Sequence, residues 1–144
     1  MKILEGVKFQ LKFLFQILFL FVSFSLSAQS QLGADIDGEA ANDYSGASVS
    51  LSDDGTIMAV GARHNDAGNS TSDNRGHVRI FKYQVISGTA TWTQLGADID
   101  GEAYRDYSGH SVSLSADGTK VAIGANANDG TYSDAGHVRI YNYT

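Results

Sequence analysis

The sequence of 144 residues has no cysteine and no proline, and the first absence already excludes some classes of protein. Without cysteine there is neither a disulfide framework nor a thiolate metal site. Basic residues are scarce: after residue 28 the chain has seven Lys and Arg against fifteen Asp and Glu, a net charge of −8. This balance excludes a nucleic-acid binder with a basic surface. Six of the seven phenylalanines precede residue 29, so the rest of the chain cannot build one large core.

The first 28 residues have the three parts of a secretory signal peptide. Three lysines precede an apolar run at 13–26, and small residues end the segment at Ala28. A membrane-spanning helix needs about 20 apolar residues, so a retained membrane anchor is the weaker interpretation. We therefore predict a signal-peptide helix and a mature chain that is secreted or held at the cell surface, with no membrane contact after signal removal.

The rest of the chain consists of two copies of one sequence unit. Residues 31–62 align with residues 94–125, and 25 of the 32 aligned positions are identical. A second block recurs as well, with 76–83 matching 136–143. Self-similarity at a fixed period indicates a repeat architecture. The predicted division is a signal peptide (1–28) and a body (29–144) of two repeats, 31–93 and 94–144, the second truncated.

Each repeat has the pattern of short antiparallel strands joined by turns. Residues 48–52 alternate polar and apolar side chains, which is typical of a strand with one buried face. Asp54-Gly55 follows, and Asp-Gly between two such runs favours a tight hairpin. The predicted strands are 48–52, 57–62, 77–83 and 91–97 in the first repeat, and 111–115, 120–125 and 137–143 in the second. This pattern is typical of a propeller blade or of part of a β-sandwich.

The repeat resembles the FG-GAP repeat, the blade of integrin-α-type β-propellers, in the variant found along secreted bacterial proteins. Ser45-Gly46 and Ser108-Gly109 stand at the "FG" position, and Gly61-Ala62-Arg63 and Gly124-Ala125-Asn126 at the "GAP" position, although both lack its proline. The resemblance implies an all-β fold of antiparallel four-stranded blades, here two repeats of about 63 residues and thus an incomplete propeller.

The outer strand of the first blade is expected to contain Trp92, and a copy of that strand's continuation stands alone at 31–36. In a closed propeller such an N-terminal strand would complete the last blade. Propellers generally have four to eight blades. Two blades therefore need further blades in a longer protein, or self-association, to close.

The best candidate site is the acidic segment that follows the outer-strand sequence in each copy. Its carboxylates are in an order that resembles a calcium loop, although glycine stands at the fourth position instead of the sixth. The other interpretation is a polar turn in which Asp accepts hydrogen bonds from backbone N–H groups. The calcium candidates are Asp35, Asp37, Glu39, Asp43, Asp98, Asp100, Glu102 and Asp106. The integrin-type calcium loop itself is not expected, because its place at 53–56 is too short, and no other cofactor is expected.

Other residues are interpreted as structural. His77 and His137 occupy the same place in both repeats and are predicted to pack or hydrogen-bond between blades, whereas His64 and His110 have no counterparts. The polar loops at 65–74 and 126–134 are interpreted as solvated, with the lining of a binding face of the propeller as the alternative. The large aromatic residues are predicted to fill the core, with glycan contact as the alternative. These aromatic residues are Tyr44, Tyr83, Trp92, Tyr107 and Tyr143.

The sequence contains no local signature of a catalytic triad, a phosphate loop or a zinc site, so we predict no enzyme activity. The resemblance implies a non-catalytic binding or adhesion role at the cell surface or outside the cell, with a protein or a glycan as ligand. The alternatives are an accessory binding module of a secreted hydrolase and a calcium-dependent carbohydrate-binding protein.

Overall fold

A computed structural model of the chain describes residues 29–67 and 72–142. The chain divides into two units, Met1–Gln31 and Leu32–Thr144. The predicted signal peptide lies outside the described residues. Within them the fold is all-β, which confirms the predicted fold class, and none of the described residues forms a helix long and apolar enough to cross a membrane.

The described strands form two antiparallel sheets, one for each repeat. The first sheet has the order β1-β2-β3-β4, with β5 also paired to β3, and the second has the order β6-β7-β8. The strands of the first are β1 (Ser45–Leu51), β2 (Ile57–Ala62), β3 (His77–Ile86), β4 (Thr89–Gln94) and β5 (Ile99–Asp100). Those of the second are β6 (Ser108–Leu114), β7 (Lys120–Ala125) and β8 (His137–Asn142). The sheets are therefore the two predicted blades, the second with three described strands.

The outer strand of the first blade is split into two pieces. β4 pairs with the second half of β3, and β5 pairs with its first two residues, His77 and Val78. Between the pieces, Leu95 donates its N–H to the carbonyl of Ile80 at 2.8 Å and packs against the core. The predicted single strand at 91–97 is therefore wrong over its last residues, where Gly96 turns the chain with φ +71°.

The copy of this sequence near the start of the body forms no strand, contrary to the prediction for 31–36. A strand needs a partner edge for its backbone groups, and this segment belongs to neither of the two described sheets. The carbonyl of Leu32 instead accepts a hydrogen bond from Trp92 Nε1 at 2.8 Å. Trp92 therefore fixes this segment against the first blade.

The hydrophobic core lies between the two blades. Its fully buried members are Ala59, Val78, Ile80, Val121 and Ile123. Side chains along a strand alternate between the two faces of its sheet. Each blade can therefore bury one apolar face against the other blade.

Close backbone contact joins the blades at one end of the core. A Cβ on Gly61 would clash with the carbonyl oxygen of Gly109, so only glycine allows this approach. Ser48 Oγ donates to the same carbonyl at 2.6 Å, and Leu114 N donates to Ser50 Oγ at 2.9 Å. The "FG" glycine of the second repeat thus contacts the "GAP" glycine of the first.

Candidate functional site

Two of the eight calcium candidates are turn residues buried in the fold. Asp43 Oδ2 accepts hydrogen bonds from Ala40 N at 3.1 Å and from Asn65 Nδ2 at 2.9 Å. In the second repeat Asp106 makes the same two contacts, each at 2.9 Å. Its donors are Ala103 N and Asn128 Nδ2. Each carboxylate therefore closes its own turn and fixes it to the loop after the second strand of its blade, as the polar-turn interpretation predicts.

Three of the remaining acidic residues accept a hydrogen bond from a polar side chain of a strand. Arg79 Nη2 donates to the carbonyl of Asp37 at 2.6 Å, and Arg139 Nη2 donates to Glu102 Oε1 at 2.6 Å. Asp98 Oδ1 accepts a hydrogen bond from Gln94 Nε2 at 2.7 Å. Calcium binding by the eight acidic residues as a set stays a prediction.

One acidic residue from each segment meets at His77, the first residue of β3. His77 Nδ1 lies 3.8 Å from Glu39 Oε2 and 3.8 Å from Asp98 Oδ2. Across the described ranges, this is the only set of three His, Asp or Glu side chains whose ligand atoms all lie within 4.8 Å of one another.

His77 is almost completely buried, with 1% of its side chain exposed, and its Nδ1 has no hydrogen-bond partner. Burial lowers the pKa of His77, although the nearby carboxylates of Asp98 and Glu39 oppose this shift. The imidazole is therefore predominantly neutral near pH 7. The blade-packing prediction for this residue accounts for its burial but not for the unpartnered nitrogen.

The rings of Tyr44, His64 and Tyr107 lie in a row beside the first residues of β1 and β6. The ring of His64 lies 4.7 Å from that of Tyr44 and 5.3 Å from that of Tyr107. The guanidinium of Arg63 lies over Tyr44 at 5.8 Å from its ring centroid. Partial burial and the charge of Arg63 lower the pKa of His64, with Asp66 opposing, so the His64 imidazole is predominantly neutral near pH 7.

The backbone conformation that presents this row is unusual. Tyr44 and Tyr107 have φ of 53° and 55°, a backbone region that residues other than glycine rarely adopt. Each tyrosine precedes a bulge in which two extra residues enter the first strand of its blade. Such strained residues cluster at functional sites. Tyr44 is 55% exposed, so the prediction that it fills the core is wrong.

Sequence reasoning missed His64 because its place in the second repeat holds a different residue. The register of the first hairpin is the signal that finds it, since Ser45 pairs with Ala62 and brings Tyr44 beside Arg63 and His64. Trp92 is not part of this row. It lies half-buried against Tyr83, with ring centroids 5.4 Å apart.

Comparison with known protein families matches residues 28–81 to the FG-GAP repeat. The match includes β1, β2 and the first half of β3, with the "FG" and "GAP" positions of the first repeat. A search of curated proteins finds no match.

Proposed function

Because residues 28–81 match the FG-GAP repeat, we propose that the chain is an exported, non-catalytic binding or adhesion module that acts at the cell surface or outside the cell. FG-GAP repeats form β-propeller-type domains that commonly serve binding or adhesion, and they are typically found in extracellular or surface proteins. The signal-peptide pattern of residues 1–28 supports export.

The observation that carries this proposal is the ring row of Tyr44, His64 and Tyr107. Tyrosine offers a large, rigid contact surface at low entropic cost, and with arginine it dominates the energetics of binding surfaces. Here two tyrosines from equivalent positions of both blades and one arginine lie together on a fixed backbone. A protein or a glycan that contacts this row is the proposed ligand.

The test is binding of the immobilised chain to panels of glycans and extracellular proteins. Tyr44→Ala and Tyr107→Ala are each expected to weaken the binding that is found by about 30-fold or more, the size of a binding hot spot. The matched control is Tyr132→Ala, which removes a tyrosine that is 77% exposed and lies outside the row. Equal losses in all three variants, or none in any, would contradict the proposal.

We also propose that the open face of the second blade is covered by a second copy of the chain. Val138 and Ile140 are 68% and 73% exposed, whereas Val78 and Ile80 at the equivalent places are buried against the second blade. The first blade in turn exposes Val49 and Leu51, and their equivalents Val112 and Leu114 pack in the core. Head-to-tail association would therefore repeat the contact that already joins the two blades.

Analytical ultracentrifugation of the purified chain tests this association. We expect oligomers for the wild type and monomers for Ile140→Asp, which places a charge on the open face. Val85→Asp, which changes another exposed residue at the far end of β3, is the control and is expected to leave the oligomers intact. A wild-type chain that is monomeric at all concentrations would exclude self-association.

A further inference from the structure

We propose that Glu39, His77 and Asp98 bind one divalent transition-metal ion of the zinc class. The three side chains come from two different repeats and converge on one point at the start of β3. This proposal is independent of the ligand proposed above, because it concerns other residues and is tested without that ligand.

The buried nitrogen of His77 is the observation that points to a ligand. A buried polar atom without a partner gives up its hydrogen bonds to water and gains nothing in return, and such atoms are rare in folded proteins. His77 Nδ1 is such an atom, and it faces two carboxylates that are each too distant for a direct hydrogen bond. An ion between the three groups would satisfy all of them at once.

The distances suit a small metal ion. Zinc binds histidine nitrogen and carboxylate oxygen at about 2.1 Å, so the ligand atoms of a tetrahedral site are about 3.4 Å apart. The two separations from Nδ1 are 3.8 Å, and all three ligand atoms lie within 4.8 Å of one another. A contraction of a few tenths of an ångström toward His77, and of at most about 1.4 Å between the two carboxylates, would complete the site. Glu39 and Asp98 are partly exposed, so their side chains have room to adjust toward the ion.

The charges at the site also favour a divalent cation. Two carboxylates face the histidine, and Arg79 Nη1 lies 3.8 Å from the other oxygen of Glu39, so one negative charge of this set is uncompensated. Calcium takes six to eight oxygen ligands, which this set does not offer. Imidazole with carboxylates instead suits zinc and its neighbours in the first transition row.

The second repeat provides a natural control. His137 Nδ1 lies 3.9 Å from Glu102 Oε2, but 27% of the His137 side chain is exposed and Glu102 is paired with Arg139. No third acidic side chain joins this pair in the described part of the chain. Glu102 and His137 thus have the same residue types and local sequence as the proposed site without its third ligand.

The experiment is isothermal titration calorimetry of the chain with zinc chloride, after treatment with a chelator and without a polyhistidine tag. We expect one ion per chain, and a dissociation constant at least tenfold weaker in Glu39→Gln and in Asp98→Asn. Glu102→Gln and His137→Ala are expected to change it less than twofold. Cobalt(II) as a second probe should give the visible absorption of a low-coordinate nitrogen and oxygen site in the wild type and lose it in Asp98→Asn.

His77→Ala is expected to abolish binding, but this variant removes a buried side chain and can disturb folding. The two carboxylate variants therefore carry the test, with circular dichroism to show that they remain folded. Absence of zinc binding, or equal losses in Glu39→Gln and Glu102→Gln, would overturn the proposal. Thermal stabilisation by calcium but not by zinc would also overturn it and would favour the all-oxygen interpretation of the acidic segments.

Discussion

The sequence Gly-His-Val-Arg-Ile begins the third strand of both repeats, yet the two copies have different surroundings. In β3, Val78 and Ile80 are buried against the second blade. In β8, Val138 and Ile140 are among the most exposed apolar residues that the structure describes. The burial of these residues is therefore not a property of the local sequence.

Neighbouring segments explain the difference. β3 lies between β2 and the split outer strand, and the second blade covers its apolar face. β8 pairs with β7 alone among the described strands. The local alternation of side chains and the turn residues thus define the strands of each blade. The neighbouring blade buries the apolar face of β3, and the split outer strand provides Asp98 as the third side chain of the site at His77. Repeated sequence gives repeated strands, but sites and stability depend on position in the array.

The sharpest test of this comparison is the same substitution in both copies. Ile80→Ala is expected to lower the free energy of unfolding by about 2–5 kcal/mol, because it leaves a cavity in the core between the blades. Ile140→Ala in dilute protein is expected to change it by less than about 0.5 kcal/mol, as for other exposed side chains. Chemical denaturation followed by circular dichroism measures both.

Because Ile80→Ala can unfold so small a protein altogether, Ile80→Val provides a milder step of about 0.5–1.5 kcal/mol. A cost for Ile140→Ala that appears only as the protein concentration rises would support covering of the open face by a second copy. Equal losses of unfolding free energy for Ile80→Ala and Ile140→Ala in dilute protein would show that the two faces are equally buried.

Much of the fold could be predicted from the sequence. The predicted bounds of β2 and β7, 57–62 and 120–125, are confirmed, because apolar runs after Asp-Gly turns define them locally. β1 and β6 begin three residues before their predicted starts. The bulge explains this shift, since its two extra residues interrupt the alternation that marks a strand.

The site was harder to predict because it depends on which segments meet. Glu39 and Asp98 stand at different positions of their repeats, and alignment of the copies does not suggest that they share a partner. Only the pairing of β5 with the start of β3 brings Asp98 beside His77. Comparison of the repeats predicts residues with equivalent roles, whereas this site combines residues with different roles from successive repeats.

A smaller difference in stability between equivalent substitutions is expected at the glycine that allows the two blades to approach each other. Gly61→Ala should destabilise by about 1–3 kcal/mol, because its Cβ would meet the backbone carbonyl of Gly109, which cannot move cheaply. At the equivalent Gly124 the nearest atom is the Oγ of Ser111, a side chain that can rotate. Replacing glycine in a strand gains about 0.5–1 kcal/mol, so Gly124→Ala should be close to neutral. Equal melting temperatures of the two variants would contradict the assigned contact.

The smallest effect on stability is expected in the exposed turns after β1 and β6, where the two repeats have equivalent hydrogen bonds. Hydrogen bonds from Ser115 and Thr119 lower the pKa of Asp117 from 3.8 to about 2, and those from Ser52 and Thr56 lower that of Asp54. A carboxyl group whose pKa is lower in the folded state stabilises the fold above its unfolded pKa, and this contribution is lost as the pH falls through the folded value.

The melting temperature of Asp117→Asn should therefore lie slightly below that of the wild type at pH 5, and the two should converge between about pH 4 and pH 2. Asp54→Asn should behave in the same way, because the hydrogen bonds to the Asp54 carboxylate come from Ser52 and Thr56 of its own turn. A difference from the wild type that stays constant from pH 5 to pH 2 would show that the charge of the carboxylate has no role. A response in only one repeat would show that even these turns depend on position in the array.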